Sequence, residues 1–162
     1  MVDIEAAFLE ASLDEDVYIE WPPGLEMFGY VSEKETKGTC LKLERAMYGA
    51  VQSPRAFWKE CAKHLSKFGL EQSKADPCVW FKQQNQTLWL IAAVYVDDIV
   101  YAGPTEARKW FKDNIKTHFK IVDLGTLSKH LGTWYNRKLG DDGNEFFELS
   151  MDKYQDEIVE DW

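Results

Sequence analysis

Along most of this chain apolar residues fall at every second position or in short unbroken runs, and along two segments they recur at helical spacing. The first habit predicts strands and the second helices. Val2 and Ile4 flank Asp3 and read as a strand already under way at the first residue. Val17-Tyr18-Ile19 is strand-like and is stopped by Trp21-Pro22-Pro23-Gly24. Residues 32–39 are polar and predict a loop, and Cys40-Leu41-Lys42-Leu43 alternates as a short strand. Residues 46–54 predict a turn opening a helix, with Ser53 as N-cap and Pro54 at the first helical position. That helix should run to about Phe68, bury Phe57, Cys61 and Leu65, and stop at Gly69. Val79-Trp80-Phe81 and Leu88-Trp89-Leu90 bracket a polar turn at residues 83–86. Residues 90–103 predict a buried hairpin, ended by Gly103-Pro104. Thr105 should cap a second helix to about His118, with Ala107, Trp110, Phe111 and Ile115 inward. Residues 119–121 read as a short strand, and residues 130–149 as a hairpin turned at Gly140-Asp141-Asp142-Gly143. Ser150 should cap a last helix that ends with the chain at Trp162, without a stop signal. Hairpins with helices between them predict an α+β fold, an antiparallel sheet with helices packed on one face, cut at both ends.

At 162 residues, 45% hydrophobic and 14% aromatic, the chain suits one packed domain spanning residues 1–162. No apolar stretch reaches the ~18–20 residues of a membrane span, and no basic-then-apolar leader opens the chain. Cys40, Cys61 and Cys78 are odd in number and form no CxxC, which reads as reduced and intracellular. Cys61 and His64 share a helical face, but two ligands do not make a zinc site, and small core residues are the simpler reading.

The chemistry gathers in residues 90–103, where Asp97 and Asp98 interrupt an apolar run that holds neither Lys nor Arg. A buried carboxylate is normally paired or bound to metal, so a divalent cation is the natural partner. The competing reading is a solvated turn, since Asp is a common turn residue. The net charge of −9 argues against a free-standing nucleic-acid binder, which neutralises phosphates with Lys and Arg.

Seven segments then stand in one order: Asp3-Ile4-Glu5-Ala6-Ala7-Phe8-Leu9; Val17-Tyr18-Ile19-Glu20-Trp21-Pro22-Pro23-Gly24; Met47-Tyr48-Gly49-Ala50-Val51-Gln52-Ser53-Pro54-Arg55; Ala75-Asp76-Pro77-Cys78; Tyr95-Val96-Asp97-Asp98; Asp123-Leu124-Gly125; and His130-Leu131-Gly132. In this order and spacing the chain resembles the reverse transcriptase palm of copia-type LTR retrotransposons over essentially its whole length.

The resemblance implies an RNA-directed DNA polymerase core, with a deoxynucleoside triphosphate and a primed RNA or DNA template as substrates. It implies two Mg²⁺ ions, with Mn²⁺ as a substitute, held by Asp3, Asp97 and Asp98. Adjacent strand residues point to opposite faces, so the turn must re-aim one of the Asp pair, and Asp98 ranks behind Asp3 and Asp97. The resemblance makes Phe8 a gate against a ribose 2′-hydroxyl, the alternative being a plain core residue. It gives the amides of Glu5, Ala6 and Ala7 to the triphosphate and places Gln52 near nucleotide and template. Val51 stands where the family often has Lys. Tyr95, Ser53 and Pro54 fall to the primer or template side, the alternatives being a core position for Tyr95 and a plain helix start for the other two. Leu131-Gly132-Thr133-Trp134 resembles the hairpin that braces the primer end, a plain hairpin being the equal alternative, and Lys120 reads as a surface residue before a phosphate contact. Fingers before the first motif, a thumb after the last helix and an RNase H domain would come from other polyprotein segments. The alternatives are a non-catalytic retrotransposon relic and a small single-strand RNA-binding module, whose expected basic stripe is missing. A nucleotide cyclase would share the paired carboxylates but not the neighbours of Gln52 and Leu131.

Overall fold

The strand-like runs pair into three antiparallel sheets in a computed structural model that describes residues 1–151, 155, 156, 158 and 159. In chain order the elements are β1 (Val2–Ile4), β2 (Tyr18–Ile19), α1 (Glu33–Thr36), β3 (Leu41–Lys42), α2 (Ser53–Lys67), β4 (Glu71–Gln72), β5 (Val79–Gln84), β6 (Thr87–Tyr95), β7 (Asp98–Ala102), α3 (Thr105–Lys116), β8 (Ile121–Asp123), β9 (Lys129–His130), β10 (Thr133–Leu139) and β11 (Glu145–Ser150). Short 3₁₀ turns occupy Ala7–Glu10 and Leu25–Phe28. The main sheet runs β4-β5-β6-β7-β1-β8, so the first strand of the chain is inserted between the central hairpin and β8.

One face of this sheet is packed and the other is open. Along β6, Leu90, Ala92 and Val94 are buried while Ile91, Ala93 and Tyr95 are exposed. The residues 90–103 are therefore not buried on both faces, as their continuous apolar run suggested. The helices cover only one side: Phe57, Cys61 and Leu65 of α2 and Ala107, Phe111 and Ile115 of α3 share a core with Val2, Ile4, Leu90 and Ile99. Each fully buried large side chain contributes roughly 1.5–3 kcal/mol. Gly103 fits α3 to the sheet, because a Cβ there would stand 2.5 Å from the Trp89 carbonyl oxygen.

Several local expectations are corrected. Residues 33–36 form a helical turn, not a loop. Its signal is Ser32-x-x-Glu35, in which the Glu35 carboxylate accepts from the Ser32 amide at 2.8 Å and hydroxyl at 2.7 Å. Ser53 is the first residue of α2 rather than its cap; its buried hydroxyl accepts from the Met47 amide at 3.0 Å and donates to the Met47 carbonyl at 2.5 Å. The hydroxyl closes the preceding turn, leaving Gln52 at the cap position. Pro104, with extended backbone, holds that position for α3, and Thr105 lies inside the helix. The strand expected at residues 119–121 begins only at Ile121, because Phe119 is drawn into the core against Phe57 and His64.

Residues 130–149 carry more than one hairpin. Leu131 and Gly132, at φ +49 and +76, form a two-residue turn between β9 and β10. Ser150 is the last residue of β11, paired with Trp134, and not a helix cap. The helix expected to Trp162 lies largely outside the described residues; the Gln155 amide donates to the Met151 carbonyl at 3.0 Å.

Candidate active site

The site follows from strand register. β1 pairs with β7 so that Val2 opposes Ile99 and Asp3 opposes Asp98. Val2 and Ile99 are both fully buried. Alternation then puts Asp3 and Asp98 side by side on the open face. Asp97 lies in the turn between β6 and β7, and its carbonyl accepts from the Ile4 amide at 2.9 Å. That bond fastens the turn to the end of β1. The preceding residue, Val96, has φ +52, a conformation a β-branched residue adopts only when its surroundings force it.

Like charges directly opposite one another on two strands repel. Among the described residues no Lys or Arg forms an ion pair with Asp3, Asp97 or Asp98. Burial, then the Asp97, Asp98 and Glu5 carboxylates, push the Asp3 carboxyl above its ordinary range. Burial and Asp97 push Asp98 up as well, against an opposing influence of His130. Oxygen donors of this kind suit a hard divalent cation such as Mg²⁺. Asp3, Asp97 and Asp98 are the residues that would hold it, and their repulsion is what it would relieve. As the side chains stand, no group of three or more His, Cys, Asp or Glu among the described residues is close enough to hold a metal ion.

The raised Asp3 carboxyl gives a pH test. Between its unfolded and folded pKa values the native state binds the extra proton, so stability falls as pH rises through that window. Asp3→Asn is expected to raise the melting temperature by about 1–3 °C at pH 7 in metal-free buffer. The gain should vanish below about pH 3.9, the ordinary Asp value. A circular-dichroism melt showing no gain at pH 7, or one unchanged at low pH, contradicts the repulsion.

The other expected residues fall at varied places. Tyr95 opposes Asp98 across β6–β7 and is exposed beside the carboxylates. Leu131 and Gly132 come to the same end of the sheet, since His130 stands 3.8 Å from Asp98 and edge-on to Tyr95. Trp134, on β10, stacks under the Lys129 ammonium. Phe8 is 9% exposed, its ring 4.6 Å from Tyr48 and 6.4 Å from Phe57. Tyr48 thus joins the turn before α2 to the turn after β1. Gln52 is exposed at the head of α2 and lines a cavity of about 470 Å³ with Leu13, Val51 and Arg55.

Two expectations are reassigned. The Glu5 amide is taken by the Lys120 carbonyl at 2.9 Å, so it is not open to a triphosphate; Ala6, at φ +52, turns the chain away from β1. Ser53 is withdrawn from any primer by its burial and its bonds to Met47, whereas Pro54 is exposed. Lys120 is an exposed residue whose ammonium pairs with Glu5. Cys61 is a core residue whose thiol burial pushes up to about 12, and His64 bonds Glu60 at 2.8 Å. Sequence reasoning gave no role to His130, whose only signal was its place before Leu131-Gly132.

Three carboxylates at one end of the open face of an antiparallel sheet, with helices packed on its other face, define an α+β architecture. The chain belongs to the reverse transcriptase (RNA-dependent DNA polymerase) family, whose model matches residues 1–162, and within it to the copia type. It is 28% identical over 160 residues to a retrovirus-related Pol polyprotein from transposon TNT 1-94 of Nicotiana tabacum, covering 98% of this chain and 11% of that one. It is 32% identical over 133 residues to one from transposon RE1 of Arabidopsis thaliana, covering 81% of this chain and 8% of the relative. A Ty1-GR1 Gag-Pol polyprotein of Saccharomyces cerevisiae is 31% identical over 135 residues, 80% of this chain and 7% of its own. The chain thus spans about a tenth of the length of these relatives. No solved structure matches it. Among the described residues no helix is long and apolar enough to cross a membrane.

Proposed function

We propose that this chain is the palm of an RNA-directed DNA polymerase, which joins a deoxynucleoside triphosphate to a primer 3′-hydroxyl on an RNA or DNA template. The observation that carries this reading is the register of β1 against β7, which sets Asp3 beside Asp98 on the open face with Asp97 in the adjoining turn. Asp3, Asp97 and Asp98 are the residues that would hold two Mg²⁺ ions, or Mn²⁺ in their place. Bound there, the ions supply charge stabilisation for an in-line displacement at phosphorus. The residues of the chain do the rest. Tyr95 and the Leu131–Gly132 turn flank the carboxylates from the side of the primer end. Phe8, backed by Tyr48, presents a fixed ring beyond β1 toward the sugar. The exposed Gln52 at the head of α2 faces template and nucleotide.

The net charge of −9 assigns most of the grip on template phosphate to other polyprotein segments, fingers, thumb and RNase H among them. Cys40, Cys61 and Cys78 are all free thiols, which suits an intracellular particle.

The test is extension of a labelled DNA primer on an RNA template with Mg²⁺ or Mn²⁺. The 162 residues alone are expected to add few nucleotides or none, and a longer Pol segment carrying them to add many. Processive synthesis by the chain alone refutes its dependence on the other segments. Failure of the longer segment under both metals refutes the polymerase reading.

A further inference from the structure

His130 is the last residue of β9 and opposes Thr133 across the Leu131–Gly132 turn. Its side chain is only 13% exposed, and Nε2 is wholly buried with no hydrogen-bond partner among the described residues. Oδ2 of Asp98 stands 3.8 Å from it. Tyr95, which opposes Asp98 in the β6–β7 register, meets the imidazole edge-on at 6.4 Å. The ring is therefore wedged between two side chains at the end of the catalytic hairpin.

A buried polar nitrogen without a partner is unusual and destabilising, and nearly all such groups in native proteins are satisfied. At 3.8 Å the contact is too long for a hydrogen bond. A side-chain movement of about 1 Å brings it to the length of a charge-assisted one. The carboxylate only accepts, so the bond requires the tautomer with its proton on Nε2. A neutral ring suffices, and no charge on the imidazole is needed.

We propose that His130 is a positioning residue for Asp98. Its Nε2–H holds one oxygen of the Asp98 carboxylate and aims the other at the bound cation, tying the Leu131–Gly132 turn to the metal-holding cluster. Polar groups behind a ligand commonly set its orientation and affinity in this way.

The inference rests on Asp98 being a cation ligand, and the experiment separates the two claims. Free Mn²⁺ is followed by electron paramagnetic resonance while it is titrated into the native chain and into Asp98→Asn, His130→Phe and His130→Gln. His130→Phe keeps a ring against Tyr95 and removes the donor; His130→Gln restores an N–H. His130→Phe is expected to weaken Mn²⁺ binding about 10-fold, with His130→Gln recovering most of the loss. Equal binding by His130→Phe and native protein overturns the inference and leaves Asp98 in place. Equal impairment of both His130 variants also overturns it, because packing rather than the donor is then what matters. A native chain that binds no Mn²⁺, or binds it as tightly after Asp98→Asn, overturns the ligand reading and this inference with it. Nitrogen-15 spectra of the native imidazole give a check that needs no variant: the Nε2–H tautomer is expected, and a proton found only on Nδ1 overturns the proposal.

Discussion

Asp97→Asn is expected to lower nucleotide incorporation by at least about 10³-fold in a Pol segment that extends primers, a loss of about 4 kcal/mol of transition-state stabilisation. The side chain loses one charge and changes little in volume. The part of Asp97 that holds the fold is its carbonyl, which accepts from the Ile4 amide at 2.9 Å, and Asn keeps that carbonyl. The turn and its strained neighbour Val96 should therefore survive, and the melting temperature should not fall. Removing one of three crowded carboxylates even relieves repulsion on Asp3. A large activity loss without a stability loss is the mark of a residue that acts on the reaction. Asp3→Asn should behave alike, for the same reason. Single-turnover incorporation, read beside a thermal melt, checks both variants. A variant that retains a tenth or more of native activity removes that residue from the proposed metal set.

How much of this was legible in the residues depends on range. Local signals worked: the four-residue spacing of Phe57, Cys61 and Leu65 marked α2, and the apolar run broken at Asp97-Asp98 marked the β6–β7 hairpin. The cap of α2 was missed by one position because Ser53 is engaged with Met47, a partner six residues back that no propensity describes. The placement of β1 between β7 and β8 was beyond any periodicity argument. Nothing in three residues says which strand they will pair with, and without that register Asp3 has no partner. Seven motifs in family order supplied an expectation of its place, and the strand pairings then set it opposite Asp98. They also exposed what motifs cannot carry. The Glu5 amide and the Ser53 hydroxyl look available in a string of letters, and both are consumed by backbone partners far along the chain or across a turn. The approach of His130 to Asp98 is a matter of ångströms, visible only in the folded chain.

Phe8→Val is expected to reduce discrimination between deoxyribonucleotides and ribonucleotides by about 10²-fold, the scale at which a pocket wall alone rejects an added hydroxyl. It should also destabilise the fold by about 1–3 kcal/mol, because the ring is core as well as wall. Phe8 is 9% exposed and packs between Tyr48 and Phe57. These contacts do not compete with a gating role; they are what makes a gate stiff. A ring free to rotate would yield to a 2′-hydroxyl, whereas one held by Tyr48 on one side and α2 on the other cannot retreat. Stability and selectivity must then be separated by a control. Phe57→Leu loosens the same core from beneath, is expected to lose comparable stability, and should leave the sugar preference within about twofold, since its side chain is fully buried. Incorporation rates for matched deoxy- and ribonucleoside triphosphates, measured for both variants below their melting temperatures, decide the matter. If Phe8→Val loses stability and keeps its preference for deoxyribose, the ring is a core residue only. The fixed wall of the sugar pocket must then be sought elsewhere, with Tyr48, exposed beside Phe8 at the turn before α2, the next side chain to test.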